Sequence, residues 1–223
     1  MNAIELLVLD MAGTTIDEDN VVYKTLTKAV TDFGYQVTLD KVLEICAGME
    51  KAEAIKNLLE NIEGNTEDTE VIFEKFSDEL ALAYNDLNVK PIAGVEEFLL
   101  KVKSKGKKVV LNTGYTQKIA QQLLTKLNWK IDVHYHALIT ADDVSESRPS
   151  PEMIILAMKK FGITDPKKVL KAGDSAIDIQ EGKNAGCGMT IAVLSGAQTR
   201  AQLELASPDH ILNNLSEAEY ILF

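Results

Sequence analysis

Four short stretches of the chain hold the residue types that do chemistry. They are Asp10-Met11-Ala12-Gly13-Thr14-Thr15, Asn112-Thr113-Gly114-Tyr115-Thr116, Ser147-Arg148-Pro149-Ser150-Pro151 and Gly173-Asp174-Ser175-Ala176-Ile177-Asp178. Aspartates, one arginine, hydroxyls and small residues that expose backbone N–H groups suit a phosphoryl group held beside a hard cation. Carboxylate oxygens favour Mg²⁺, which bridges readily to substrate phosphate. Asp10 can offer one oxygen to such a metal and the other to phosphorus in line, which would divide a difficult hydrolysis into two steps through an aspartyl-phosphate. Arg148, Thr113 and the N–H groups of Gly13 and Gly114 are expected to meet the charge that develops on the phosphoryl oxygens. Thr14 and Ser175 are candidate substrate contacts in the same loops. Asp174 fits the metal shell, and Asp178, one helical turn later, is placed to orient the metal or its waters.

These stretches have a common position in the pattern of elements. Short, almost continuously apolar runs at 6–9, 107–111, 137–140, 168–171 and 190–194 alternate with helical periodicity at 94–102, 117–127, 151–161 and 177–185. Such alternation predicts an α/β fold, a parallel-sheet, Rossmann-like core with helices on both faces. Each candidate stretch follows a strand, and ligands of open α/β sheets sit beyond the strand carboxyl ends. Between the first strand and the others the rhythm changes. Helical spacing covers 20–32, ended by Gly34, then 39–46, 50–62 and 68–84, with no convincing strand among them. The expected organisation is a split α/β core of residues 1–15 and 90–223 with an inserted all-helical cap of residues 16–89.

Composition narrows the function classes. The chain has 223 residues, 46% hydrophobic and 26% charged, in the range of a soluble globular protein with a sizeable core. Its net charge of −11 has one source, because residues 17–88 hold 17 acidic and 6 basic residues while the remainder holds 17 of each. That balance argues against a backbone-neutralising nucleic-acid surface. No apolar run is long enough for a membrane span. Met1-Asn2-Ala3 leads directly into Leu6-Leu7-Val8-Leu9 without the basic start of a signal peptide, so a cytoplasmic setting is expected. Cys46 and Cys187 are too few for a disulfide framework and are expected to be packing residues, as is Trp129 at a helix–strand joint. His134 and His136 are expected to be satisfied or solvated, and His210 to begin an edge strand. Only two of the basic residues are arginine, Arg148 and Arg200. That gives Arg148, in its loop, a stronger claim to a specific role.

Taken together, the motifs resemble those of the haloacid dehalogenase superfamily with a helical cap in the first insertion position, across essentially the whole chain. Within it the chain is most similar to the phosphonatase (phosphonoacetaldehyde hydrolase) branch. The Asp-x-Ala-Gly-Thr-Thr form at 10–15 stands where ordinary phosphatases of the superfamily have Asp-x-Asp. Thr113-Gly114-Tyr115-Thr116 and Asp142-Asp143-Val144 with Arg148-Pro149-x-Pro151-x-Met153 match the same branch, arginine replacing the usual lysine. The resemblance implies that Asp10 is the nucleophile, that its carboxylate, the Ala12 carbonyl and Asp174 hold Mg²⁺, and that Thr113 and Arg148 hold the phosphoryl group. It also implies a homodimer. In the cap, Gly48-Met49-Glu50-Lys51 keeps the spacing of the lysine that forms a Schiff base with the substrate aldehyde. Three positions depart from the pattern: Ala47 stands where that branch has a methionine before the glycine, Ala54 where it has a histidine, and Ser147 where glycine is usual.

Ala12 and Lys51 make chemical sense as a pair. A phosphatase of this type takes its acid and base from the aspartate two residues after the nucleophile, and the Ala12 methyl transfers no proton. P–C cleavage releases a carbanion, for which a protonated imine on Lys51 would be the electron sink. Three readings of Lys51 stand open at this level: imine former, anion clamp, or solvated helix lysine. The sequence therefore predicts a Mg²⁺-dependent hydrolase acting at phosphorus on a small phosphonate or phosphorylated metabolite, phosphonatase-like. The rivals are a phosphatase for a small phosphorylated metabolite and a non-catalytic phospho-metabolite-binding protein. Retention of both nucleophile and metal ligands speaks against the last.

Overall fold

The computed structural model describes residues 4–223; the start of the expected core segment, Met1 to Ala3, lies outside the described residues. In chain order the strands and helices are β1 Leu6–Asp10, β2 Ile16–Asp17, α1 Val21–Phe33, α2 Leu39–Cys46, α3 Lys51–Asn61, α4 Thr69–Asp86, β3 Lys90–Pro91, α5 Val95–Ser104, β4 Lys108–Asn112, α6 Gln117–Lys126, β5 Ala137–Ile139, α7 Glu152–Phe161, β6 Val169–Gly173, α8 Ala176–Asn184, β7 Met189–Val193, α9 Arg200–Leu205, β8 His210–Leu212 and α10 Glu219–Leu222. Six strands form one parallel sheet in the order β5-β4-β1-β6-β7-β8. This is the α/β class the apolar strands predict.

The sheet is buried on both faces, which explains why β1, β6 and β7 have no exposed residue. Leu6 and Val8 of β1 pack with Val110, Met153, Ile154 and Ala157, so one face is closed by α7. Leu7 and Leu9 point the other way and pack with Val95, Phe98, Leu99, Leu123 and Leu124 of α5 and α6. Because β1 lies centrally between β4 and β6, its last residue, Asp10, sits opposite Asn112 near the middle of the carboxyl edge. The order turns at β1, with β4 on one side and β6 on the other, which is where a crevice opens in such sheets.

Helices α1 to α4 pack on one another, α1 against α4 and α3 against both α2 and α4. Their apolar faces follow helical spacing: Val22, Leu26, Ala29 and Val30 on α1, and Ile72, Phe76, Leu80 and Tyr84 on α4 are all buried. The chain enters and leaves these helices through β2 and β3, which pair antiparallel, Ile16 with Pro91 and Asp17 with Lys90. Two-residue strands have no readable period, so sequence patterning does not reveal them. Helix α3 begins one residue later than its periodicity suggests. The Glu50 side chain accepts the N–H groups of Ala52 and Glu53 and so caps the helix from outside. Among the described residues, no helix is long and apolar enough to cross a membrane.

Candidate active site

A small cavity of about 20 Å³ lies at the carboxyl edge of the sheet, roughly the space of one water. Its lining includes Asp10, Ala12, Thr113, Gly114, Arg148, Asp174 and Asp178 from the sheet side and Gly48 and Lys51 from the α2–α3 region. Residues separated by more than 160 positions in sequence thus surround one space. Tyr23 and Tyr115 complete the lining.

Charge is concentrated beneath this cavity. The Arg148 Nη1 donates to Asp10 Oδ1 and to Asp178 Oδ1, both at 2.6 Å. Lys171, wholly buried in β6, donates to Asn112 Oδ1 at 2.6 Å and pairs with Asp178 at 3.0 Å and Glu181 at 2.9 Å. Asn112 in turn donates to both Glu181 oxygens. Burial pushes the Asp178 carboxyl up, but the Lys171 and Arg148 charges outweigh it and hold the group at about 2. Asp10 is raised to about 6, by burial first and by the Asp178 charge second. Asp174 is raised well above the usual carboxylate range, by burial and then by Asp10 and Asp178.

Oxygens of Asp10, Asp174 and Asp178 all lie within 4.8 Å of one another. Four buried carboxylates, those three and Glu181, face two buried cations, Arg148 and Lys171. A divalent cation would remove that imbalance and the proton affinity of Asp10 and Asp174 with it. The donor set is hard oxygen throughout and fits such an ion. Asp174 Oδ2 is fixed by the Ala197 N–H at 2.6 Å. Asp178 already has three partners, since Ser175 Oγ donates to its second oxygen at 2.5 Å. It therefore ties Arg148 to the floor of the site.

Three candidate substrate contacts do not line the cavity. The Gly13 N–H donates to the Ile16 carbonyl at 2.9 Å, so it is committed to the turn. Glycine is required there for another reason. Its φ is +75°, and a Cβ would come within 2.5 Å of Asp174 Oδ2 and 2.7 Å of the Gly196 Cα. Thr14 is fully buried with its hydroxyl unpartnered among the described residues, and Ser175 is spent on Asp178. Gly13 and Ser175 thus support the site from behind. Gly114 and Thr113 do line it: a Cβ on Gly114 would stand 3.2 Å from Arg148 Nη2, and the Thr113 hydroxyl accepts the Tyr115 N–H, leaving its own proton free to donate.

Lys51 is the first residue of α3. Its Nζ donates to the Met49 carbonyl at 2.5 Å and lies 5.4 Å from the centre of the Tyr23 ring. Burial, then the Arg148 charge, lowers its ammonium to about 8. The loop before it is held from both sides: the Gly48 N–H donates to Tyr23 Oη of α1 at 3.1 Å, and a Cβ at Gly48 would stand 2.5 Å from Ser175 Oγ on the sheet side. A solvated helix lysine would have neither this environment nor this shift.

The sequence profile of the haloacid dehalogenase-like hydrolases matches residues 7–193. The chain belongs to that family. It is 26% identical to a phosphonoacetaldehyde hydrolase of Latilactobacillus sakei, covering all of this chain and 96% of the relative. It is also 26% identical to a phosphorylated carbohydrates phosphatase of Thermotoga maritima, covering 96% and 99%. A phosphonoacetaldehyde hydrolase-like protein of Oleispira antarctica shares the fold at a TM-score of 0.85, with 22% identity over 99% of this chain and 92% of that one.

The remaining singled-out residues of this family member lie elsewhere. Trp129 is 3% exposed, donates to Glu96 and stacks on His134. His134 Nδ1 and His136 Nδ1 accept the N–H groups of Lys130 and Val109. Cys46 and Cys187 are free thiols, both pushed up to about 12 by burial.

Glu18, just after β2, was not legible as a special residue. It is 3% exposed, and its Oε2 has no partner among the described residues. Burial raises its carboxyl from 4.5 to about 8 against the opposing N–H groups of Val22 and Val21. The folded protein therefore binds this proton more tightly than the unfolded chain. Its stabilising effect is complete below pH 4.5 and is lost as pH rises toward 8. Glu18→Gln should remove that slope and raise stability at pH 8 by on the order of 2 kcal/mol, with little change at pH 4. Denaturant melts across that range check it; parallel curves for both proteins would contradict it.

Proposed function

We propose that this hydrolase is Mg²⁺-dependent and of the phosphonatase type, releasing phosphate from a small phosphonate aldehyde such as phosphonoacetaldehyde through an aspartyl-phosphate on Asp10. The carrying observation is that the Lys51 amine, lowered to about 8, shares one cavity with Asp10 and Arg148, while Ala12 offers no acid. In this reading residues 16–89 are a cap over a core of 1–15 and 90–223. Asp10, the Ala12 carbonyl and Asp174 would hold the metal, with Asp178 behind them. The metal, when bound, supplies positive charge beside the phosphoryl oxygens and keeps Asp10 ionised.

Arg148 now bridges Asp10 and Asp178. An entering phosphoryl group takes its Asp10 contact and leaves the Asp178 contact as anchor. The freed Asp10 oxygen then faces phosphorus, and the Thr113 hydroxyl donates to a phosphoryl oxygen. Lys51, neutral in an appreciable fraction near pH 8, condenses with the aldehyde and loses water. As Asp10 bonds to phosphorus, the C–P pair flows into the protonated imine to give an enamine. Protonation and hydrolysis return the amine and acetaldehyde, and water cleaves the acyl phosphate.

The first test is phosphate release from phosphonoacetaldehyde with and without Mg²⁺, which should require the metal. Asp174→Ala should weaken metal dependence most, and Asp178→Ala about 10–100-fold, as a change behind the ligands. Metal titration of both variants checks this. A larger defect in the Asp178 protein would reverse the two assignments.

A further inference from the structure

A second cavity, of about 260 Å³, opens beside the small one and shares Lys51, Gly114 and Tyr115 with it. Its character is different. Val22 from α1, Phe73, Phe76 and Leu80 from α4 and Ile119 from α6 make apolar walls, while Glu50, Lys51, Ser77, Thr116, Lys118 and Gln122 supply the polar groups of the lining. A group held at phosphorus by Arg148 and reaching past Lys51 would have its carbon skeleton directed here. The two carbons of phosphonoacetaldehyde leave most of this space unfilled. Hydroxyls set against the wall of Phe73, Phe76 and Leu80 would lose water without a hydrogen-bond partner on that wall.

We infer that this cavity is the specificity pocket and that the phosphonate or phosphate bound tightest carries an apolar group of about benzyl size, phosphonoacetaldehyde being the small end of the class the site accepts. The inference rests on the phosphoryl-site reading above and adds the chemical class of the organic part. An apolar cavity near 150 Å³ is large enough for benzene, so 260 Å³ accepts a substituted ring or a branched chain. Lys51 at the junction serves either chemistry, as imine former for a carbonyl or as clamp for the anion.

The test is calorimetric binding of methylphosphonate and benzylphosphonate to the Mg²⁺-loaded protein, which reads binding without turnover. Burial of a ring's roughly 100 Å² predicts that benzylphosphonate binds about 30–100-fold tighter. Ala81→Trp, which fills the exposed rim of the pocket, and Phe73→Asn, which makes a wall polar, should each reduce that ratio at least about fivefold. Affinities within threefold of each other in the unmodified protein would overturn the pocket while leaving the phosphoryl site standing. So would a ratio that survives both substitutions. Failure of both phosphonates and of inorganic phosphate to bind would overturn the phosphoryl-site reading and this inference with it.

Discussion

Asp10→Asn should lower turnover by at least about a thousandfold, the scale seen when a nucleophile is removed from a covalent mechanism. The amide keeps the shape of the carboxyl but cannot form the acyl phosphate. It should also leave the fold intact. Asp10 in the free protein is already pushed toward its neutral form at about 6, by burial and the Asp178 charge, so replacement by a neutral isostere removes little that holds the chain together. Arg148 keeps Asp178 as partner in the variant. Steady-state rates and a thermal melt check both halves. Retention of more than a tenth of the rate would remove Asp10 from the covalent role.

The second large effect concerns Lys51. Borohydride added during turnover of phosphonoacetaldehyde should reduce the imine and leave a stable adduct on the Lys51 peptide. Lys51→Arg should abolish both the adduct and P–C cleavage, because a guanidinium keeps the charge but does not condense with an aldehyde. The lowered ammonium gives this a pH signature. With the amine as the reacting form, kcat/KM should rise with pH and level off above about 8. Two observations favour the other outcome: the ammonium donates to the Met49 carbonyl, and Ala54, three residues later, provides no proton shuttle. If Lys51→Arg keeps most activity toward a phosphate ester and no adduct is trapped, Lys51 is an anion clamp and the protein a phosphatase.

The sequence made some parts of this site readable and hid others for definable reasons. Asp10, Thr113, Arg148 and Asp174 were visible because apolar strands locate their own carboxyl ends, and parallel pairing brings those ends together. A loop motif does not tell which way a backbone N–H points. Gly13 therefore read as an anion donor, whereas its N–H closes a turn on Ile16. Thr14 and Ser175 lie off the small cavity, since adjacency in the chain says nothing about which side chain faces it. Lys171 interrupts an apolar strand. Its meaning depends on Glu181 of α8 and Asn112 of β4, which only folding brings near it. Glu18 and the apolar cavity have no local signature, because Glu18 is buried where the chain passes from β2 into α1 and the cavity arises where α1, α4 and α6 meet. Lys51 was legible only through its spacing from Gly48, and the structure adds the contacts and the shift.

The central claim is that phosphorus passes through a covalent bond to Asp10, and a rapid-quench experiment reads it directly. The protein is mixed with Mg²⁺ and excess substrate, quenched in acid within the first turnover, and digested for mass spectrometry. The account predicts a phosphoryl group on the peptide containing Asp10, accumulating before steady state and absent from the Asp10→Asn protein. A phosphoryl group on another residue, or steady phosphate release with no covalent species on any peptide at any quench time, would contradict it.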